Sequence, residues 1–151
     1  MTFLLRFGSS FFILFICLLI GIGISSGNQI SCAEKEGIKI CASFHGSSPI
    51  SALVPGENVA VRMDIFYVHI ENNSSDILSI ASGDFSCVNV AGDAVVVDEP
   101  LSEKIKWSRK LVKTSLSPGQ TTEGYIFCPG TRYPVRVLTY HGKVILGVHL
   151  F

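Results

Sequence analysis

Residues Leu116–Cys128 read Leu-Ser-Pro-Gly-Gln-Thr-Thr-Glu-Gly-Tyr-Ile-Phe-Cys. The Pro-Gly pair fixes a chain reversal, since proline presets φ and glycine takes positive φ without steric cost. The residues that follow alternate in direction with period 2, as a half-buried strand does, and they end at Cys128 before a second turn, Pro129-Gly130. Gly124 inside that strand marks a place where another stretch of backbone approaches closely. A strand of this kind needs partners for its backbone N–H and C=O groups, so the rest of the chain is read for them.

Ile38–Phe44 alternates apolar with polar or small residues and is a first strand. His45–Pro55 carries Gly46, serines and prolines and reads as a loop, and Val54-Pro55-Gly56-Glu57 is a turn into the longest strand, Val59–Glu71. In that strand Val59, Val61, Met63 and Ile65 form the apolar set first, and Phe66, Val68 and Ile70 take over afterwards. A change of phase predicts a β-bulge near Ile65–Phe66; burial of both faces is the alternative. Asn72-Asn73-Ser74-Ser75-Asp76 is a turn, in which Asn72 and Asn73 both head Asn-x-Ser sequons.

Ile77–Ile80 and Phe85–Val90 are short strands, and Ala91-Gly92-Asp93 returns the chain into Ala94–Val97 as a hairpin. Glu99–Ser117 is the least strand-like stretch, with an edge strand or helical turn expected around Ile105–Val112. Pro134–Tyr140, a His141-Gly142 turn and Lys143–Phe151 form a terminal hairpin, whose apolar end (Val148, Leu150, Phe151) implies a docked strand. No segment shows a helical apolar period. Short strands punctuated by Gly, Pro and Asn define an all-β fold, an antiparallel β-sandwich.

The N-terminal part differs. Arg6 is the only charge before Glu34, and Phe11–Ile24 is an unbroken run of 14 apolar or glycine residues. At about 1.5 Å per residue that run is short for a hydrocarbon core of about 30 Å. It suits a secretory signal, with Ser25–Ala33 as its small, polar end and Ser31-Cys32-Ala33 as the peptidase site. Residues 1–33 are therefore expected to be a signal peptide cleaved before Glu34, leaving one domain, 34–151. Lipidation at Cys32, with Gln29 where an aliphatic residue is wanted, and an uncleaved anchor over Phe3–Ile24 are the alternatives.

Cleavage removes one basic residue, Arg6, and leaves 11 basic against 12 acidic side chains, a formal net charge of −1. No global field steers such a protein towards nucleic acid or an anionic membrane. Of five cysteines, Cys41, Cys87 and Cys128 remain. Cys87–Cys128 is the expected disulfide, closing a loop of about 40 residues for roughly 3–4 kcal/mol. Three buried thiols are the competing possibility, and survival of Cys32 opens three pairings.

Taken in order, Val59–Asp76, Gly83-Asp84-Phe85-Ser86-Cys87, the Val88–Asp93 hairpin and Leu116–Gly124 leading into Tyr-Ile-Phe resemble a largely uncharacterised family. Its members are immunoglobulin-like sandwiches in bacterial exported proteins and lipoproteins, similar in general fold to mycobacterial immunoprotective extracellular antigens. The resemblance covers about Val59–Leu146. It implies an immunoglobulin-like sandwich in a cell-envelope setting and brings no catalytic residues. The lysine-rich stretch 103–113 departs from the short connection usual there.

That stretch holds the candidate partner-binding residues: Lys104, Lys106, Arg109, Lys110 and Lys113 surround Trp107, the only tryptophan. Cations that neutralise charge beside an aromatic that stacks suit an anionic polymer, such as an acidic glycan or a teichoic-type phosphate. In an extended segment Lys104, Lys106, Ser108 and Lys110 share a face opposite Trp107 and Arg109. The competing reading is a solvated edge whose lysines block strand pairing while Trp107 plugs the core.

His45, His69, His141 and His149 lack a second ligand at a recognised spacing, so no metal or cofactor is expected. Cys128 with His149 forms no known nucleophile motif, and Gly-x-Ser-x-Gly, His-Glu-x-x-His and phosphate-loop patterns are missing from the sequence. The expectation is a secreted or periplasmic, non-enzymatic binding or assembly module that meets a protein or an anionic envelope polymer. A small-ligand or metal carrier is the alternative. No nucleic-acid partner is expected, and membrane attachment would require lipidation at Cys32 or an uncleaved N-terminus.

Overall fold

The computed structural model describes residues 29–56, 62–96, 103–130 and 134–147. Strands dominate: β1 (Ile30–Lys35), β2 (Ile38–Pro49), β3 (Arg62–Asn72), β4 (Leu78–Ile80), β5 (Phe85–Asn89), β6 (Ala94–Val96), β7 (Thr114–Leu116), β8 (Thr121–Gly130), β9 (Val135–Tyr140) and β10 (Lys143–Gly147). A single turn of helix, α1 (Ile50–Leu53), follows β2, and a 3₁₀ turn, Ser82–Asp84, precedes β5. No helix among the described residues is long and apolar enough to cross a membrane.

The strands form a sheet of order β1-β2-β3-β8, a second of order β10-β9-β5-β6, and a two-stranded β4-β7 ribbon. All these pairings are antiparallel. The two larger sheets share one core. Phe66, Val68, Ile70 and Ile126 come from the first, and Phe85, Leu138 and Ile145 from the second. Cys87 on β5 and Cys128 on β8 are bonded to each other, so one disulfide ties the sheets through that core.

The phase change read in Val59–Glu71 arises, over the described residues of β3, from burial on both faces and not from a bulge in that strand; at 11 residues β3 is also shorter than β2, which has 12. The β3–β8 ladder runs in unbroken register from Arg62↔Gly130 to Glu71↔Thr121. Phe66, Val68 and Ile70 face the main core, while Met63 and Ile65 enter a second cluster with Phe127, Ile105 and the Ile50 and Leu53 of α1. The bulge exists one strand away. In β2 the register shifts between Phe44 and Gly46, opposite Phe66 and Ile65, leaving His45 as the extra residue. The stretch after Phe44 is thus part of β2 and not a loop, because the bulge lets pairing continue to Pro49↔Arg62.

Two buried polar side chains lock the frame, as buried polar groups must when hydrogen-bonded. Asp64 accepts from Ser47 Oγ and, at 2.7 Å, from the Val135 N–H, joining β2, β3 and β9. Asn72 donates from Nδ2 to the Asp76 and Leu116 carbonyls at 2.8 and 2.9 Å.

At the N-terminal edge Cys32 of β1 faces Cys41 of β2 in register and is bonded to it. A cut before Glu34 would fall inside β1 and remove Cys32. The expected signal core and the docking of Val148, Leu150 and Phe151 lie outside the described residues.

Candidate functional site

Alternation along β3 and β8 leaves the outer face of the first sheet covered over one half and open over the other. The open half carries Tyr67, His69 and Glu71 from β3 beside Tyr125 and Glu123 from β8, with Lys39 from β2. Lys39 Nζ pairs with Glu71 at 3.2 Å. His69 lies between two carboxylates, Nε2 at 3.5 Å from Glu71 and Nδ1 at 3.7 Å from Glu123. The Tyr67 hydroxyl donates to Glu123. That bond pushes the Tyr67 phenol up to about 12, with burial adding to it. The same bond, with the nearby His69 and Arg109, holds the Glu123 carboxyl below its usual range. Lys39 does the same for Glu71.

Aromatic rings continue the strip. Tyr67 and Tyr125 meet edge to face at 5.4 Å, Tyr125 meets His45 at 5.0 Å and Trp107 at 5.3 Å, and Trp107 meets Phe127 at 5.5 Å. Edge-to-face contacts of this spacing contribute about 0.5–1.5 kcal/mol beyond burial. His45 reaches Trp107 because it is the bulged residue of β2, which swings an otherwise alternating side chain towards β8.

The segment 103–113 brings Trp107 here by running along the free edge of β8. The Tyr125 N–H donates to the Arg109 carbonyl at 2.8 Å and the Leu111 N–H to the Tyr125 carbonyl at 2.9 Å, a parallel bridge centred on Lys110 and Tyr125. Ile105 and Leu111 are buried and Trp107 half-buried. The approach is close: a Cβ on Gly124 would stand 2.6 Å from the Leu111 Cα and N. Here the close neighbour that the glycine predicted is Leu111.

Simple alternation does not hold across the basic cluster, because Lys110 N–H turns back to the Trp107 carbonyl at 3.3 Å. Lys106, Trp107, Ser108 and Arg109 line one hollow with Tyr125. Lys110 and Lys113 line another with Glu103, whose carbonyl accepts from Lys110 Nζ at 3.1 Å. Lys104, Lys106, Arg109 and Lys113 are exposed. The six residues therefore divide: Lys106, Trp107 and Arg109 stand together beside Tyr125, Lys110 and Lys113 lie apart with Glu103, and Lys104 lines neither hollow.

The Tyr67–His69–Glu71–Glu123 constellation was not singled out from the sequence. Its one local sign was the outward set Tyr67, His69, Glu71, and its closure depends on the pairing of β3 with β8. Among the described residues no group of three or more His, Cys, Asp or Glu side chains is placed to hold a metal. His141 lies 4.0 Å from Asp84 at the β9–β10 turn, and His149 lies outside the described residues.

A third hollow, of about 290 Å³, opens where the β1–β2 and β9–β10 hairpins come together. Ile38, Ile40, Leu78 and Ile145 form its floor, and Glu34 and Lys143 lie on its rim. Lys143 Nζ donates to the Glu34 carbonyl at 2.9 Å across the mouth.

No family model and no curated protein matches the chain. Among solved structures, the crystal structure of a candidate lipoprotein of Bacillus subtilis, ycdA, is similar at 15% identity with a TM-score of 0.46. The match covers 68% of this chain and 30% of the other.

Proposed function

We propose that this chain is an exported, immunoglobulin-like β-sandwich that acts by binding and not by catalysis, in the secreted or periplasmic space of a bacterial envelope. Two disulfides support the setting, since such bonds persist in oxidising compartments. The strand order supports the fold. β2-β3-β8 facing β10-β9-β5-β6 follows strands A-B-E against G-F-C-C′ of immunoglobulin sandwiches. Here β1 is an added edge strand, and the bridge joins the C and E positions in place of B and F. Cys128, the one thiol weighed as a nucleophile, is committed to that bridge. The Cys32–Cys41 bond within a paired β1 favours processing ahead of Ile30 over a cut before Glu34. It also occupies the sulfur that a lipid thioether would need.

The contact surface we assign is the corner around Trp107. The observation that carries it is a half-buried Trp107 held by Phe127, Tyr125 and His45, with exposed Lys106 and Arg109 beside it. Rigid aromatics flanked by arginine are the anchors that dominate binding energy at interfaces. An anionic envelope polymer fits that chemistry. The test titrates purified teichoic-type polymer and a uronic-acid glycan against the wild type and a variant with Lys104, Lys106, Arg109 and Lys110 changed to Ser. Binding that weakens in the variant and with added salt supports the reading; equal affinity for both proteins refutes it.

The hollow between the two hairpins favours a second reading, a carrier of small apolar ligands. Its volume approaches the roughly 300–1,000 Å³ of ligand sites. Native mass spectrometry of protein from its own host would show a co-purifying small molecule under that reading.

A further inference from the structure

Two sequons overlap in the turn after β3, Asn72-Asn73-Ser74 and Asn73-Ser74-Ser75, and the fold treats their asparagines differently. Asn72 is completely buried. Its Nδ2 spends both hydrogens on the Asp76 and Leu116 carbonyls, and its Oδ1 accepts from Ser74 N–H at 3.1 Å and Ser74 Oγ at 2.6 Å. An amide with all its hydrogen-bonding capacity used inside the protein has no room for a sugar and no free N–H to give up.

Asn73, one residue on, is exposed, and so is Ser75, the hydroxyl residue of its sequon. The turn that presents it is fixed. Asn73 N–H donates to the Gly37 carbonyl at 2.6 Å, and Gly37 lies so close that a Cβ there would come within 2.9 Å of Ser74. An exposed sequon on a turn of an exported chain is the setting for N-glycosylation.

We propose that Asn73 is an N-glycan acceptor and that Asn72, despite its sequon, is not. The donor is a polyprenyl-diphosphate-linked oligosaccharide and the catalyst an oligosaccharyltransferase of the export compartment. Asn73 Nδ2 forms a bond to the anomeric carbon, and the bond from that carbon to the phosphate oxygen breaks. The nitrogen loses one proton to the transferase, and polyprenyl diphosphate leaves. The proposal rests on the export reading, because the transferase acts on the extracytoplasmic side.

The full chain is expressed with export in a host carrying such a transferase, and its intact mass, glycopeptides and free thiols are measured. One oligosaccharide on Asn73 is expected. It is lost in Ser75→Ala and Asn73→Gln and kept in Ser74→Ala, which destroys only the Asn72 sequon. A disulfide-bonded, exported chain without glycan, or a glycan that persists in Ser75→Ala, overturns the proposal and leaves the export reading standing. A reduced, unglycosylated chain retained inside the cell overturns both.

Discussion

Gly124→Ala tests how the segment 103–113 is held. The added methyl would lie 2.6 Å from the Leu111 Cα and N, so the two backbones must part by about 1 Å to reach ordinary contact. Detachment of the segment would lose two backbone hydrogen bonds, about 1 kcal/mol each. It would also expose Ile105 and Leu111, about 1.5–3 kcal/mol apiece. Strain from overpacking costs only about 1–3 kcal/mol, so the segment stays attached and the strain is tolerated. Alanine also restricts the unfolded chain, which offsets about 0.4–1 kcal/mol. The net loss is then about 1–2 kcal/mol, or a fall in Tm of about 4–10 °C for a domain of this size. Urea and thermal melts followed by Trp107 fluorescence measure it. The bulkier Gly124→Val adds volume that strain cannot absorb, and there Trp107 emission shifts to the red as the segment lifts. An alanine variant that melts with the wild type, or a valine variant with unchanged Trp107 emission, refutes the close packing of Leu111 on β8.

The two disulfides should differ in their effect on stability. In the chain-entropy model Cys87–Cys128, 41 residues apart, contributes about 4 kcal/mol, and Cys32–Cys41, 9 apart, about 2.6 kcal/mol. Paired Cys→Ala variants compared by denaturant midpoint should rank in that order, and an inverted ranking refutes it. Tyr67 ionises at about 12 when folded and near 10 when unfolded. Its contribution to stability is therefore complete below pH 10 and is lost as pH rises towards 12. Burial raises the Tyr140 phenol as well, so absorbance near 295 nm should show two phenols that titrate late, and Tyr67→Phe should remove one of them; an unchanged titration curve would falsify the Tyr67–Glu123 bond.

Local chemistry was legible wherever it decided the outcome. The Pro118-Gly119 reversal, the Asn72–Asp76 turn and the Ala91–Asp93 hairpin are set by residues at the turns themselves, and Gly124 announced a close neighbour before Leu111 was known to be it. What the sequence could not locate depended on pairing. Met63 to Phe66 are buried in succession, and a strand covered on both sides looks, in one dimension, like a strand that slips phase. Only the β2–β3 register assigns the extra residue to His45. Glu123 meets Tyr67 and His69 because β3 and β8 are neighbours despite the 48 residues (73–120) between them in the chain. The turn at Trp107–Lys110 has no Gly, Pro or Asn to signal it, so simple alternation sets Lys106 opposite Trp107 and Arg109, whereas the fold brings the three together. In the sequence Cys32 is a partner only if the signal ends ahead of it, and it is the register of β1 on β2 that selects Cys41 from the three pairings.

The short run 109–111 also decides who may pair with β8. That ten-residue strand has β3 on one side, and across the middle of its other side the run occupies N–H and C=O groups that another chain would use. An uncovered edge of such length is a template for strand addition between copies. Loosening the run would therefore be felt twice, in the melting of the single molecule and, in concentrated solution, as slow growth of assemblies joined along β8.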